Sequence, residues 1–218
     1  MFVLTADQVG SRRHADVATA WVARLADLVG HALALPVGRA SGDEIQIVTT
    51  DASAALTAAF ALTRSNEWSV GIGIGAVRTP LPATANEATG PAFYAARNAV
   101  DRAKSAPYRF ALAVDDPRLA DEASDLEAML TLALAVRAKR SDAGWAAYDL
   151  LAAGHTQREA ARLLGISEPS VTDRVRAGLV RVELDASAAL VRLLARVEQL
   201  ATSDRSGDLQ QGRAIEEA

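Results

Sequence analysis

The chain has 218 residues, half of them hydrophobic, a formal net charge of −4 and no cysteine. Disulfides and thiolate metal sites are therefore excluded. The acidic balance excludes a globally basic nucleic-acid coat and leaves only a local basic patch open. The opening MFVLTADQVG lacks the basic region and long apolar stretch of a secretory signal, and no run of about 18 apolar residues occurs, so a cytoplasmic protein is expected. His14, His31 and His155 are scattered singly and read as surface or capping residues.

The first half alternates strand and helix signals. FVLTA (2–6) is a short apolar strand ending at Asp7. Residues 14–34 carry Val17, Trp21, Leu25 and Leu28 on one helical stripe. Residues 36–40 and IQIV (45–48) are two strands joined by SGDE, a hairpin. Thr50 or Asp51 caps a helix beginning DASAAL. WSVGIGIGAV (68–77) is a strand, PAFYAARNAVDRA (91–103) a helix with Pro91 in its first turn, and YRFALAV (108–114) the closing strand. The order β-α-β-β-α-β-α-β contains a split βαββαβ core, which predicts an α+β fold with a ferredoxin-like N-terminal domain.

DDPRLADEASD (115–125) is acidic and polar and reads as a domain boundary. Helical patterns then cover 124–139, 142–153, 156–164, 168–178 and 181–203. From Asp204 the chain has almost no apolar residues, and disorder is expected there. The expected organisation is a first domain over 1–115, an all-α domain over 116–203 and a tail over 204–218.

GHTQREAARLLGISEPSVTDRVRAG (154–178) carries the densest signals. Thr156 followed by Glu159 is a capping box. Ala160 and Ala161 are small enough for a helix to cross closely. Gly165 ends the helix, Ile166 plugs inward, Ser167 caps the next helix, and Val171 and Val175 face the core. A plain helical hairpin is the alternative, but all these signals agree with a helix-turn-helix whose second helix enters the major groove of DNA. Between 137 and 181 the basic residues Arg137, Lys139, Arg140, Arg158, Arg162, Arg174, Arg176 and Arg181 face five acids, an excess of +3. The segment resembles the helix-turn-helix of LuxR-type regulators and of sigma-factor region 4. That resemblance implies duplex DNA as partner and Thr156, Gln157, Ser167, Ser170, Thr172, Arg174 and Arg176 as its contacts. Leu190, Leu193, Leu194, Val197 and Leu200 form a last apolar stripe that either packs back or joins a second subunit; a homodimer is expected.

TADQVGSRR (5–13) is similar to the first metal motif of class III nucleotide cyclases. SGDEIQI (41–47) resembles their second, and also the GGDEF signature of diguanylate cyclases. VGIGIGAV (70–77) and AFYAARNAVDRA (92–103) resemble the strand and Arg-bearing helix that follow. Over the whole chain the resemblance is to the SatD family of small bacterial proteins. It implies a palm-like nucleotide-binding domain with Mg²⁺ and a purine nucleotide as ligands. The metal residues would be Asp7, Asp43 and, secondarily, Glu44. Gly10, Ser11, Arg12, Arg13 and Arg97 would bind the nucleotide.

The residues support this independently. Neighbouring first and third strands would bring Asp7 and Asp43 together, and close carboxylates repel unless a cation lies between them. Mg²⁺ takes one or two carboxylates plus phosphate oxygens. Gly10 and Ser11 are expected to lead into a helix whose free N–H groups attract anions. The alternative is a solvated Gly-Asp turn. Two positions depart from the cyclase pattern: Phe93 stands where those enzymes carry Asn, and Ser41 where GGDEF enzymes carry Gly. Phe93 cannot donate a hydrogen bond, so binding without turnover is expected. GIGIG (71–75) lies in a strand, where alternate glycines let a ligand or helix approach closely. The leading function is a DNA-binding transcription regulator whose cyclase-like domain senses a nucleotide. The alternatives are a cyclase-type enzyme with a regulatory helical domain and a DNA-binding adaptor with a palm-like dimerisation scaffold.

Overall fold

The computed structural model describes residues 1–11, 16–40 and 42–216, with side chains described to residue 203. Five strands form one sheet: β1 (Phe2–Gln8), β2 (Gly38–Ala40), β3 (Glu44–Thr49), β4 (Trp68–Ile74) and β5 (Phe110–Val114). Three helices are interleaved with them: α1 (Ala18–Val29), α2 (Ala52–Arg64) and α3 (Pro91–Ala103). The strand order is β2-β3-β1-β4-β5. β1 runs antiparallel to both β3 and β4, and β5 extends the sheet parallel to β4. The first four strands are the expected ferredoxin-like core.

The period-two pattern of each strand separates the two faces. Phe2, Leu4, Ile45, Ile47, Val70 and Ile72 enter a core shared with Trp21 and Leu25 of α1 and Leu56 and Leu62 of α2. Val3 and Val48 point to the other face, where Ala92 and Ala96 of α3 meet them. The GIGIG glycines explain why α3 lies so close. A Cβ on Gly71 would stand 2.2 Å from the Val100 amide nitrogen, and one on Gly73 2.2 Å from the Ala92 carbonyl oxygen. The close approach is therefore that of a helix.

The remainder is helical: α4 (Ala120–Ala138), α5 (Asp142–Ala152), α6 (Gln157–Leu164), α7 (Glu168–Ala177) and α8 (Val180–Glu216). Composition changes at 115–125, yet the main apolar core runs across it. Leu126, Leu130 and Leu134 of α4 and Leu190, Leu194 and Val197 of α8 pack into the sheet's core. The last apolar stripe thus mostly packs back on its own chain, leaving Leu193 and Leu200 exposed. A smaller core joins Ala147 and Leu151 of α5, Ala160 and Ala161 of α6, Val171 and Val175 of α7, and Val180. The backbone of α8 stays helical past Asp204, where composition predicts disorder. No helix among the described residues is long and apolar enough to cross a membrane.

Candidate functional site

The α3-side face of the sheet carries the first candidate site. Asp7 and Glu44 are directly opposed in the β1–β3 register, and the Gln8 amide donates to the Asp43 carbonyl at 3.0 Å. This fixes Asp7, Asp43 and Glu44 at one end of the strand pair, as neighbouring first and third strands require.

Their environments differ. The Glu44 side chain is 4% exposed and closes an ion pair with Arg97 of α3. Both carboxylate oxygens are engaged, at 2.7 Å and 2.8 Å, and Gln46 Nε2 donates to one of them at 3.0 Å. Asp7 is more open. Its charge partner is Lys104 Nζ at 3.8 Å, which also contacts Asp101. Burial pushes the Asp7 carboxyl above its ordinary pKa; Lys104 opposes that shift and the neighbouring Asp43 charge adds to it. Phe93 packs against the apolar cluster of Val3 and Val48. Among the described residues, no three His, Asp or Glu side chains gather closely enough to hold a metal ion. A divalent cation here would rest on Asp7 and Asp43, with phosphate oxygens or water completing its shell.

The loop after β1 departs from expectation. Gly10 takes a left-handed turn, φ 66°, but α1 begins only at Ala18. The Ala18 amide donates to Asp16 Oδ1 at 3.0 Å, and Asp16 pairs with Arg39 at 2.5 Å. α1 thus starts several residues after the Gly10–Ser11 turn, so Gly10 and Ser11 do not lead directly into it. The Asp16 carboxyl is held below its ordinary pKa, first by the Ala18 amide and then by Arg39. Arg12, Arg13 and Ser41 lie outside the described residues.

The second candidate site is the surface of α6 and α7. The Thr156–Glu159 capping box closes in both directions. Glu159 is held below its ordinary pKa first by the Thr156 amide. Gly165 adopts the left-handed conformation, φ 66°. The Ser167 hydroxyl accepts from the Ser170 amide at 3.3 Å and stands 2.8 Å from the Ser170 hydroxyl. Val171 and Val175 are buried, which turns Thr172, Asp173 and Arg176 outward. Thr172 Oγ1 donates to Gln157 Oε1 at 2.9 Å, so the start of α6 and the middle of α7 form one polar face. Arg174 is half-buried and Arg176 exposed.

Several of the charges counted between 137 and 181 are engaged in pairs. Arg137 and Arg140, two of the eight basic residues counted, are buried and both pair with Glu183, just beyond the counted window. Arg158 pairs with Glu168 at 3.1 Å. Long-range pairing such as that of Arg137 and Arg140 with Glu183 is invisible to a window on the sequence.

A crystal structure of a regulator of polyketide synthase expression from Bifidobacterium adolescentis is similar to the chain at 14% identity. The TM-score is 0.29, with 92% of this chain and 80% of that chain covered. No family model matches the chain, and no curated protein matches it significantly. The resemblance to SatD proteins and nucleotide cyclases therefore rests on the short motifs.

Proposed function

We propose that the chain is a DNA-binding transcription regulator, with α7 as the helix that enters the major groove and the sheet domain as a nucleotide sensor. The observation that carries the reading is the joined α6–α7 surface. Two capped helices meet through a left-handed glycine, and their exposed side presents Gln157, Thr172 and Arg176 together. Arginine reads guanine and phosphate, and amide and hydroxyl groups suit base edges. Arg174, Ser170 and Ser167 flank that surface, and the Thr156 cap positions its first helix.

For the sheet domain, the supporting observation is the pairing of a partly exposed Asp7 with the Asp43 charge. A cation between them would relieve the repulsion that helps raise Asp7. A purine nucleotide with Mg²⁺ fits this donor set, and its phosphates would compete with Glu44 for Arg97. Phe93, packed in the apolar cluster of Val3 and Val48 and without a side-chain donor, favours sensing over turnover. A homodimer completes the reading, since helix-turn-helix proteins commonly span two half-sites. The exposed apolar side chains Met129, Leu132, Val182 and Leu193 supply a face for a second copy.

The test is selection of duplexes from a random pool by the full chain, with and without Mg²⁺ and each purine nucleoside triphosphate. Enrichment of a sequence motif supports the regulator, and a nucleotide-dependent yield supports the sensor. A pool that stays unenriched under every condition contradicts the DNA-binding reading.

A further inference from the structure

α4 and α8 lie side by side and leave one face uncovered. They run antiparallel: Arg137 near the end of α4 pairs with Glu183 near the start of α8, and α8 further on reaches the turn Pro117–Leu119 that precedes α4. The groove between them holds about 180 Å³, and its lining is apolar apart from Glu183. Met129 and Leu132 of α4 and Val182 and Leu193 of α8 stand out beside it, with Leu132 and Val182 each 60% exposed. Between these large side chains lie only Ala133, Ala186 and Ala189. Met129, Leu132 and Val136 along α4, and Val182, Ala186, Ala189 and Leu193 along α8, are spaced three and four residues apart. That is the seam of a coiled-coil contact, in which large side chains enter holes on a facing helix. Leu190, Leu194 and Val197 already supply the inner stripe of α8, so this second seam faces outward.

Charge indicates what covers it. The α4 seam continues back from Met129 to Asp125 and Glu122 and forward from Val136 to Lys139, all three exposed. Glu122 stands seven residues before Met129, and Lys139 seven after Leu132. A two-fold axis crossing α4 between Met129 and Leu132 would lay α4 antiparallel on the α4 of a second copy. Glu122 would then face Lys139 of that copy. On α8 the same level falls between Ala189 and Leu193, which share the groove with Met129 and Leu132. There the axis sets Leu193 of one copy against Ala189 of the other, and brings Arg196 to the turn that carries Asp185, both exposed beside the seam. One operator thus matches large to small and acid to base on both helices. The area suffices as well. α4 has 19 residues. Two such helices side by side present on the order of 600 Å² per copy, and about 1,200 Å² in total is where specific interfaces begin.

We infer that the α4–α8 face joins two copies as an antiparallel four-helix bundle, with Glu122 of each copy paired to Lys139 of the other and setting the register. The inference rests on the homodimer proposed above and adds its geometry. DNA binding and the Asp7–Asp43 site do not enter it.

The chain has no cysteine, so introduced thiols report only on their own positions. Sedimentation velocity of the full chain first measures the dimer. Glu122→Cys and Lys139→Cys chains are then mixed, allowed to exchange subunits and oxidised. A disulfide-linked dimer is expected from the mixture and far less from either variant alone, because each thiol faces the other's position. Lys139→Glu should weaken the dimer about tenfold by setting like charges opposite each other, and adding Glu122→Lys should restore it. A parent chain that stays monomeric at every concentration overturns the homodimer and this inference together. A dimeric parent whose mixture links no better than the single variants, or whose charge swap fails to restore the dimer, keeps the homodimer and overturns this register alone.

Discussion

Arg97 on α3 grips both oxygens of Glu44 on β3, at 2.7 Å and 2.8 Å, across 53 residues of sequence. Glu44 is buried and Arg97 half exposed, so the consequences of breaking the pair are unequal. Arg97→Ala strands a buried carboxylate and should cost on the order of 2–3 kcal/mol in denaturant unfolding. Adding Glu44→Gln should recover much of that loss. A single mutant as stable as the parent would show that the pair does not fasten α3 to the sheet.

Gly71→Ala should be far worse than its chemistry suggests, because the added Cβ would strike the backbone of α3. Overpacking typically costs about 1–3 kcal/mol, and rigid backbone on the far side puts this site at or above the top of that range. Gly30→Ala is the control, since its nearest neighbour would be the Ala26 Cβ at 3.9 Å; near-neutral stability is expected there. Equal thermal melts for the two variants would contradict the close helix–sheet packing.

Much of this was legible in the sequence, for a physical reason. Asp51, Thr156, Gly165 and Ser167 act within four residues of themselves, so caps and turns can be read locally. The apolar run FVLTA marks a strand, but which of Phe2, Val3 and Leu4 faces α1 and α2 and which faces α3 comes only from the sheet. Partners distant in sequence were not legible. Nothing near Glu44 announces Arg97, and nothing near Arg137 and Arg140 announces Glu183, which ties two of the counted basic residues into a buried network. The start of α1 at Ala18 was not legible because the stripe from Val17 to Leu28 fixes the helix's face but not its first turn, and the N-cap residue Val17 makes no side-chain cap.

Asp7 provides a test of pH dependence. Its folded pKa is raised, chiefly by burial. The folded state therefore binds its proton more tightly than the unfolded chain does. The stability this confers is present at acid pH and is lost as pH rises through the folded value. Asp7→Asn should accordingly stabilise the ligand-free protein above that value and have a smaller effect below it. Urea melts from acid to neutral pH measure this. Destabilisation by Asp7→Asn at neutral pH would mean that the Lys104 contact outweighs burial. The same variant should weaken nucleotide binding in the presence of Mg²⁺.

Thr156→Ala removes one half of a capping box and should cost on the order of 1 kcal/mol. Glu159, the other half, has a depressed pKa, so its contribution is present above the unfolded value and fades as pH falls through the folded one. Glu159→Gln should therefore differ from the parent at neutral pH and converge with it in acid. A constant difference at all pH values would argue against the carboxylate as the capping group.

Leu132→Glu places a charge on the exposed apolar face formed with Met129, Val182 and Leu193. If a second copy covers that face, sedimentation velocity should show dimer for the parent and monomer for the variant. An unchanged sedimentation coefficient would put the dimer contact elsewhere or remove it.

The most direct measurement is fluorescence anisotropy on a duplex recovered from the random pool, with the parent, Thr172→Ala and Arg176→Ala proteins across a range of salt. Arg176 reading a base should be worth about 1–3 kcal/mol, roughly 5- to 150-fold in affinity, with relaxed specificity at one position. If Arg176 instead holds phosphate, the salt slope should fall by about one while specificity is kept. Either outcome places α7 on DNA. Superimposable binding curves for all three proteins at every salt concentration would contradict it.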